Sequence, residues 1–343
     1  MKTESIPPVR ELLPDIGLEA FHNEVVANHE PVVLRNFAPD WPLVEAGKRG
    51  ALIEALRATA TDTPVGVFMA DPGVGGRYFY DESLRGFNFE RGQESLKQLL
   101  DELERLADVG NPPGLYAGAI PLQGGLGPLA EQHPMRLLRA DTQRLTSLWL
   151  GNAGRTATHW DLPHNIAVVV GGQRRFTLFP PDQYPNLYVG PIDRTLAGQP
   201  VSLVDPEAPD FARYPRFAEA QNAAVTATLS PGDALFIPTL WFHHVAAESP
   251  VGALINFWWR DAADYMMTPL TTLLHGLLTI RDLPVREREL WRQLFDHYLF
   301  NANDETHAHI PDAARGFLGQ MTDEQSRRLR AFLISSLGGA PSQ

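Results

Sequence analysis

A series of short apolar or alternating runs between about Leu115 and Arg260 constrains the fold of this chain more than any other feature. The runs read SLWLG, NIAVVV, RRFTLF, DALFIP and GALINFWW, and Gly, Pro, Asn and Asp residues bound them. Runs of this length and spacing are typical of β-strands in a sandwich or small barrel. The sequence therefore predicts a mainly β core over residues 115–260.

The two flanks have helical periodicity instead. Before the core, GALIEALRAT and ESLKQLLDELERLADVG show helical spacing. We expect residues 1–114 to form mixed α/β elements that pack on the barrel. After the core, DYMMTPLTTLLHGLLTIRDL, VRERELWRQLFDHYLF and DEQSRRLRAFLISSLGG predict amphipathic helices. The apolar faces of these helices, in residues 261–343, need the barrel or a second copy to dock on, which predicts a homodimer.

One long stretch inside the core departs from the strand pattern. Residues 180–228 are rich in Pro and acidic side chains, and we expect an ordered insert over one mouth of the barrel. Inserts of this length commonly carry function.

The composition limits the partners and the metal ligands of the chain. The net charge of −12 argues against a nucleic-acid partner, because it provides no basic field for a phosphate backbone. With no Cys, a bound metal must be held by His, Asp, Glu or backbone oxygen. No apolar run reaches the ~18 residues that span a bilayer, and the N-terminus lacks a signal-peptide pattern. We therefore expect a cytoplasmic protein without a membrane partner.

Polar side chains in the middle of the core indicate metal binding. His159 and Asp161 are two residues apart, so in an extended strand both project to one face. His243 and His244 follow another strand-like run, which can be a neighbouring strand in a barrel. Two His and one carboxylate form the facial triad of non-haem Fe(II) oxygenases, which leaves coordination positions open. An isolated H-x-D is common by chance, so this interpretation depends on the downstream His pair.

A cation near the same face indicates an anionic ligand. Gly171 and Gly172 predict a tight hairpin that turns NIAVVV back as RRFTLF, and one of Arg174 and Arg175 must then face the interior. The planar guanidinium of an inward Arg suits an organic acid that also binds the metal. The alternative is a structural ion pair between Arg174 and an Asp or Glu. Further residues able to line such a pocket are Thr156, Tyr116, Asn256 and Trp258.

Two other His residues have structural alternatives. His164 faces the side opposite to His159 and Asp161 if the strand is regular, so we expect it at the surface or in a loop. His244 can support the site, but we favour the interpretation that it is a neighbour satisfied elsewhere.

Taken together, these blocks resemble the cupin-like JmjC family of Fe(II)- and 2-oxoglutarate-dependent oxygenases. The blocks SLWLGNAGRTATHWD, GGQRRFTLFPPDQY, PDFARYPRF, LSPGDALFIPTLWFHHV and INFWW occur in the family's order. Within the family they are most similar to asparaginyl hydroxylases of the factor-inhibiting HIF type. The resemblance covers roughly Leu115 to Arg260 and extends weakly into the tail. It implies a double-stranded β-helix of jelly-roll or cupin type with a C-terminal helical dimerisation segment.

Carried over by position, the resemblance implies a role for each candidate residue. His159, Asp161 and His243 match the iron ligands. Arg174 replaces the Lys that binds the distal carboxylate of 2-oxoglutarate. The family's target-binding Gln has Val201 at the nearest position here, which argues against asparagine as the target. Tyr116, Thr156 and Asn256 match further cosubstrate positions, while Asn165 and Trp258 match residues that line the site.

The resemblance also implies a reaction. Fe(II), 2-oxoglutarate and O2 serve to hydroxylate a protein or peptide side chain, with succinate and carbon dioxide as coproducts. Two alternatives stay open: hydroxylation of a small molecule or a tRNA base, and a metal-binding cupin without oxygenase activity. Arg174 with Thr156 and Tyr116 favours the oxygenase, because a plain metal cupin has no need of these residues.

Overall fold

Strands dominate the first 260 residues. The computed structural model describes residues 6–123 and 126–338, and it divides into two units, Met1–Arg260 and Asp261–Gln343. The strands are β1 (Arg10–Leu12), β2 (Val32–Leu34), β3 (Pro64–Ala70), β4 (Arg77–Tyr78), β5 (Glu90–Ser95), β6 (Gly114–Pro121), β7 (Arg144–Gly151), β8 (Gly154–Trp160), β9 (His164–Gly171), β10 (Arg174–Phe179), β11 (Val225–Leu229), β12 (Ala234–Ile237), β13 (Phe242–Ala247) and β14 (Gly252–Trp259).

These strands form two sheets. The larger sheet has nine strands in the order β1-β2-β12-β9-β14-β7-β6-β3-β5, and the smaller has five in the order β11-β10-β13-β8-β4. Buried apolar side chains of both sheets pack against each other, among them Val169 of β9 and Phe176 of β10. The predicted mainly β jelly-roll fold is confirmed.

Most of the N-terminal strands belong to the larger sheet, whereas β4 pairs with β8 in the smaller one. Strand β2 pairs with β12, and β3 pairs with β6. The helices of the first unit are α1 (Leu18–Ala20), α2 (Pro42–Lys48), α3 (Leu52–Arg57), α4 (Leu96–Leu106), α5 (Gly127–Gln132) and α6 (Phe217–Asn222).

Helix α4 illustrates how sequence fixes these helices. It begins after Ser95, whose side chain accepts a hydrogen bond from the backbone N–H of Gln98 in a capping box. Its spacing buries one apolar face, and each fully buried Leu stabilises the fold by about 1.5–3 kcal/mol. The buried residues are Leu96, Leu99, Leu100, Leu103 and Leu106.

The glycine pair at the end of β9 does not form the predicted hairpin. Strand β9 lies in the larger sheet, whereas β10 lies in the smaller one. Gly172, with a φ of 69°, turns the chain from one sheet to the other. The hairpin prediction was wrong because a tight turn between two apolar runs is equally compatible with a crossing between packed sheets.

The insert after β10 pairs with β8 through an isolated β-bridge. It runs from Pro180 to residue 224, since β11 already begins at residue 225, and it includes a 3-10 helix (Pro181–Asn186) and α6. Isolated β-bridges join Val189 to Ser202 and Val201 to His159. The insert is therefore hydrogen-bonded to the strand that carries the first candidate metal ligand.

The second unit is helical. Helices α7 (Pro269–Thr279), α8 (Val285–Phe295) and α9 (Asp323–Gly338) lie in the three segments with helical periodicity. Among the described residues of this unit, only Thr306 and Ser326 are buried. Within residues 6–123 and 126–338, no helix combines the length and the apolar character needed to cross a membrane. The cytoplasmic location stays a prediction.

Candidate metal centre

His159, Asp161 and His243 converge at one end of the smaller sheet. His159 on β8 lies opposite His243 on β13, and Asp161 follows directly after β8. One ligand atom from each of the three side chains lies within 4.8 Å of the others. This is the donor set of a facial triad, and the three residues are able to hold one divalent ion such as Fe(II).

Backbone carbonyls orient the two imidazoles. The ring nitrogen Nδ1 of His159 lies 2.8 Å from the carbonyl oxygen of Ala157, and Nδ1 of His243 lies 3.1 Å from that of Trp241. A carbonyl only accepts, so each Nδ1–H donates and each Nε2 keeps its lone pair for a metal.

Burial sets the charge state of the ligands. It lowers the pKa of His243 well below the usual value, and the nearby imidazole of His159 acts in the same direction. Burial also raises the pKa of Asp161, while His159 and the Trp258 indole act against it. His243 is thus neutral at pH 7, so its approach to Asp161 at 3.7 Å is not an ion pair. Neutral imidazole is the form that binds metal.

A β-bulge in β8 brings Thr156 to the face of His159. Strand β8 has two residues between Thr156 and His159, where the paired stretch of β13 has one. In a regular strand, residues three apart face opposite sides. The extra residue instead lets both side chains line the same pocket.

Arg174 is a buried cation that has no acidic partner among the residues that the structure describes. It is 3% exposed, its Nη2 donates to the carbonyl of Trp149 over 3.4 Å, and its buried Nε has no partner within the described residues. Burial lowers the pKa of Arg174, with Tyr116 acting against it. Because an uncompensated buried charge is costly, this site fits a ligand carboxylate such as that of 2-oxoglutarate.

Two hydroxyl groups complete the anion-binding side of the pocket. Burial raises the pKa of Tyr116 to about 12, with Arg174 and the Thr156 hydroxyl acting against it. Tyr116 therefore stays a neutral donor at physiological pH. Together with Arg174, these hydroxyls offer convergent donors to one carboxylate.

Arg175 faces the other side of the strand. Its Nη2 lies 2.7 Å from Glu207 and its Nε lies 2.9 Å from Glu248. The two consecutive guanidiniums thus have opposite environments: acids surround Arg175, whereas Arg174 lines the pocket.

The residues that the family resemblance assigns to the metal, the cosubstrate and the lining of the site lie in one pocket. A hydrogen bond from Trp149 Nε1 to Asn256 Oδ1 (2.7 Å) and a longer one from Asn256 Nδ2 to Asn165 Oδ1 (3.4 Å) fix two of its amides. The candidates in the pocket are Tyr116, Thr156, His159, Asp161, Asn165, Arg174, His243, Asn256 and Trp258.

Five further pocket residues were missed by sequence reasoning. Phe176 and Leu254 are each two residues from a candidate on the same strand, so alternation could have found them. Trp149 lies in a run that the sequence predicts as a strand. Its hydrogen bond to Asn256 follows only from the pairing of β7 with β14, which the sequence does not specify. The five are Trp149, Ala167, Phe176, Val245 and Leu254.

The two remaining His residues lie outside the pocket. His244 is buried on the outer face of β13, with Nε2 3.7 Å from Glu207. The expectation that His164 lies at the surface was wrong. It is buried on β9 against Trp259 and Phe236, because both faces of this central strand are covered.

Comparison with known proteins assigns the chain to a family. A family model described as a cupin-like domain matches residues 18–265, so the chain belongs to the cupin-like domain family. The resemblance to JmjC proteins is confirmed by its relatives. The human "Bifunctional peptidase and (3S)-lysyl hydroxylase JMJD7" is 27% identical over 272 residues, 70% of this chain and 80% of that protein.

Other relatives match over shorter stretches. The "Lysine-specific demethylase JMJ31" of Arabidopsis thaliana is 36% identical over 138 residues, 37% of this chain but 25% of that protein. The "tRNA wybutosine-synthesizing protein 5" of Gallus gallus is 37% identical over 103 residues, 30% of this chain and 29% of that protein. The chain thus spans about a quarter of the length of these two relatives.

Proposed function

We propose that this protein is an Fe(II)- and 2-oxoglutarate-dependent oxygenase that hydroxylates a side chain of a protein or peptide, releasing succinate and carbon dioxide. The observation that carries the proposal is the His159, Asp161 and His243 cluster in one pocket with the buried Arg174, which has no acidic partner among the described residues. A metal that only stabilised the fold would have no use for that guanidinium.

Each side chain has a defined task in this proposal. His159, Asp161 and His243 hold Fe(II), which when bound supplies the site where oxygen and the keto acid react. Arg174 binds the distal carboxylate of 2-oxoglutarate, and Tyr116 and Thr156 donate hydroxyl hydrogens to it. Apolar walls exclude water, which strengthens these charge interactions. The walls include Phe176, Val245 and Leu254.

A protein substrate other than asparagine is favoured. The human relative is named a lysyl hydroxylase and the plant relative a lysine-specific demethylase. Val201 is buried in a cluster with Tyr80 and Ala157, and its side chain, a hydrocarbon, offers no hydrogen bond to a target amide. We therefore propose a target side chain that needs no amide-specific contact at this position.

The test has two stages. Purified protein with Fe(II), 2-oxoglutarate and O2 should form succinate, and His243→Ala should not. Mass spectrometry of host proteins should then find a peptide whose mass is one oxygen higher in wild-type cells than in a deletion strain. Binding of metal without binding of 2-oxoglutarate would refute the oxygenase and leave a metal-binding cupin.

A tRNA base is the second candidate substrate. One relative is named for tRNA wybutosine synthesis, whereas the net charge of −12 opposes binding to a phosphate backbone. Adding tRNA to the succinate assay separates the two substrates, since only a true substrate accelerates turnover and gains oxygen.

We also propose that residues 261–343 mediate a homodimer and that residues 115–260 form the catalytic core. Support comes from the apolar side chains that α8 exposes, since a helical unit with so little burial needs a partner surface. These include Leu290, Trp291 and Leu294, each more than 40% exposed. Light scattering should give twice the chain mass, and Leu290→Glu with Leu294→Glu should give the monomer. Glu289→Gln is the control that keeps the dimer.

A further inference from the structure

The insert places one carboxylate against three strands of the smaller sheet. Glu207 lies 2.7 Å from Arg175 on β10 and 3.5 Å from Arg155 on β8, measured between side-chain oxygen and nitrogen atoms. It also lies 3.7 Å from Nε2 of His244 on β13. A single side chain from outside the barrel thus spans β8, β13 and β10.

Each of these three partners is the chain neighbour of a residue in the pocket. Arg155 precedes Thr156, Arg175 follows Arg174, and His244 follows His243. Adjacent residues of a strand face opposite sides. On the outer face, Glu207 therefore contacts the immediate neighbours of the three residues that present a hydroxyl, a guanidinium and an imidazole on the inner face.

The contacts around Glu207 form a network. Asp205, two residues earlier, lies 3.2 Å from Arg155 and 3.5 Å from Arg77. The side chains of Glu207 and Asp205 are 26% and 15% exposed, so solvent screens them less than an ordinary surface pair. His244 and Arg175 hold the pKa of Glu207 at about 2, and its charge is constant at physiological pH.

The backbone of the insert braces the same part of β8. The N–H of Ser202 donates to the carbonyl of Thr158 at 2.8 Å, and Val201 bridges His159. Thr158 is one of the two residues of the β-bulge. The insert therefore holds β8 by its backbone at the bulge and by Glu207 and Asp205 three residues earlier in that strand.

We propose that Glu207 is a positioning residue for the pocket. By tying β8, β10 and β13 together from outside, it sets the separation of His159, His243 and Arg174 on the inside. The effect of Glu207 on 2-oxoglutarate binding rests on the proposed function. Its effect on metal binding rests only on His159, Asp161 and His243 as ligands.

The test compares Glu207→Gln with Glu248→Gln. Glu248 is the matched control because it also pairs with Arg175, at 2.9 Å and with similar exposure, but among the described residues it pairs with neither Arg155 nor His244. Urea unfolding of both variants measures the loss of global stability, which we expect to be similar. Any difference between the two variants in ligand affinity or in hydrogen exchange near the pocket then reports how Glu207 positions the pocket side chains.

Two measurements avoid any need for turnover. In metal-free protein, hydrogen exchange in residues 154–160 and 242–247 should accelerate in Glu207→Gln and not in Glu248→Gln. Isothermal titration with Co(II) should give a Kd raised ~10-fold in Glu207→Gln, the usual scale for a lost supporting contact. The Kd of 2-oxoglutarate for the Co(II) protein should rise in parallel.

The outcomes separate the two proposals. If hydrogen exchange in Glu207→Gln accelerates only in the insert and the affinity for Co(II) is unchanged, Glu207 only anchors the insert. If Glu207→Gln does not fold, Glu207→Asp, which keeps the charge but is too short to reach all three partners, should give the same changes at smaller size. Wild type that binds Co(II) but not 2-oxoglutarate would end the oxygenase proposal and leave the metal test of Glu207 intact. If the wild-type protein binds no Co(II), the metal centre is refuted. The hydrogen-exchange measurement alone would then show whether Glu207 holds the strands in position.

Discussion

His159 and His243 lie directly opposite each other on the antiparallel strands β8 and β13, with 4.3 Å between their ring centroids. Each ring donates its Nδ1–H to the backbone carbonyl of the residue two positions earlier in the chain. The strand pairing therefore sets both the separation and the orientation of the imidazoles before any ion binds. Such preorganisation reduces the ordering that metal binding must impose.

His243→Ala should remove one of the two opposed imidazoles and with it high-affinity metal binding. Loss of a supporting contact to a ligand costs roughly 10–100-fold in affinity, so loss of the ligand itself should raise the Kd for Co(II) by more than about 100-fold. Titration calorimetry measures the change. His275→Ala, at an exposed position, is the control and should leave the Kd unchanged. An unchanged Kd in His243→Ala would contradict the assignment of His243 as a ligand.

Asp161→Asn should make the metal-free protein more stable at pH 7. Burial raises the pKa of Asp161 above 3.8, so its ionised form costs free energy in the folded state. The neutral amide removes that cost, and we expect a gain on the order of 1 kcal/mol. The gain should vanish below pH 3.8 and grow as the pH rises through the raised pKa. Urea unfolding with a chelator present tests it, and a loss of stability at pH 7 would contradict the prediction.

Arg174→Met should remove 2-oxoglutarate binding without unfolding the protein. A hydrogen bond to a charged group contributes about 1.5–3 kcal/mol, so the Kd should rise at least ~10-fold. Arg174→Lys keeps the charge and should retain part of the affinity. Fluorescence or calorimetric titration of the Co(II) protein measures both, with Co(II) affinity as the control. Equal affinity in wild type and Arg174→Met would remove the cosubstrate assignment.

Glu207 should stabilise the fold only above acid pH. Its folded pKa of about 2 lies below the ordinary 4.5, so the stabilisation is complete above pH 4.5 and is lost as the pH falls toward 2. The difference in unfolding free energy between wild type and Glu207→Gln should therefore be constant from pH 7 to 5 and shrink below that. A difference independent of pH down to 3 would show that the charge of Glu207 has no part in it.

Much of the fold and pocket is predictable from local pattern, and the exceptions have physical reasons. Alternation along a strand is enough to expect His159 and Asp161 on one face, and likewise Asn256 and Trp258. It fails for Thr156, because a bulge depends on the partner strand. It also fails at Gly172, because a turn does not specify which sheet its two strands join.

The outer network is invisible at the level of sequence for a different reason. Glu207 reaches Arg155, Arg175 and His244 only because the insert folds back along β8. Nothing in the spacing of these residues marks them, since each is a polar residue on the face of its strand that points away from the pocket. Register and insert path, which are set by the whole domain, make them neighbours.

The bulge in β8 also limits how this site can be copied into another protein. A designer who grafts Thr156, His159 and Asp161 onto a straight strand would obtain Thr156 on the side opposite to the two ligands, however well the chosen scaffold is packed. The irregular step between Ala157 and Thr158 must be transplanted with the ligands, because it changes the parity of the strand halfway along its length. Length variation in natural homologues should likewise be tolerated in the loops and rejected between residues 156 and 159.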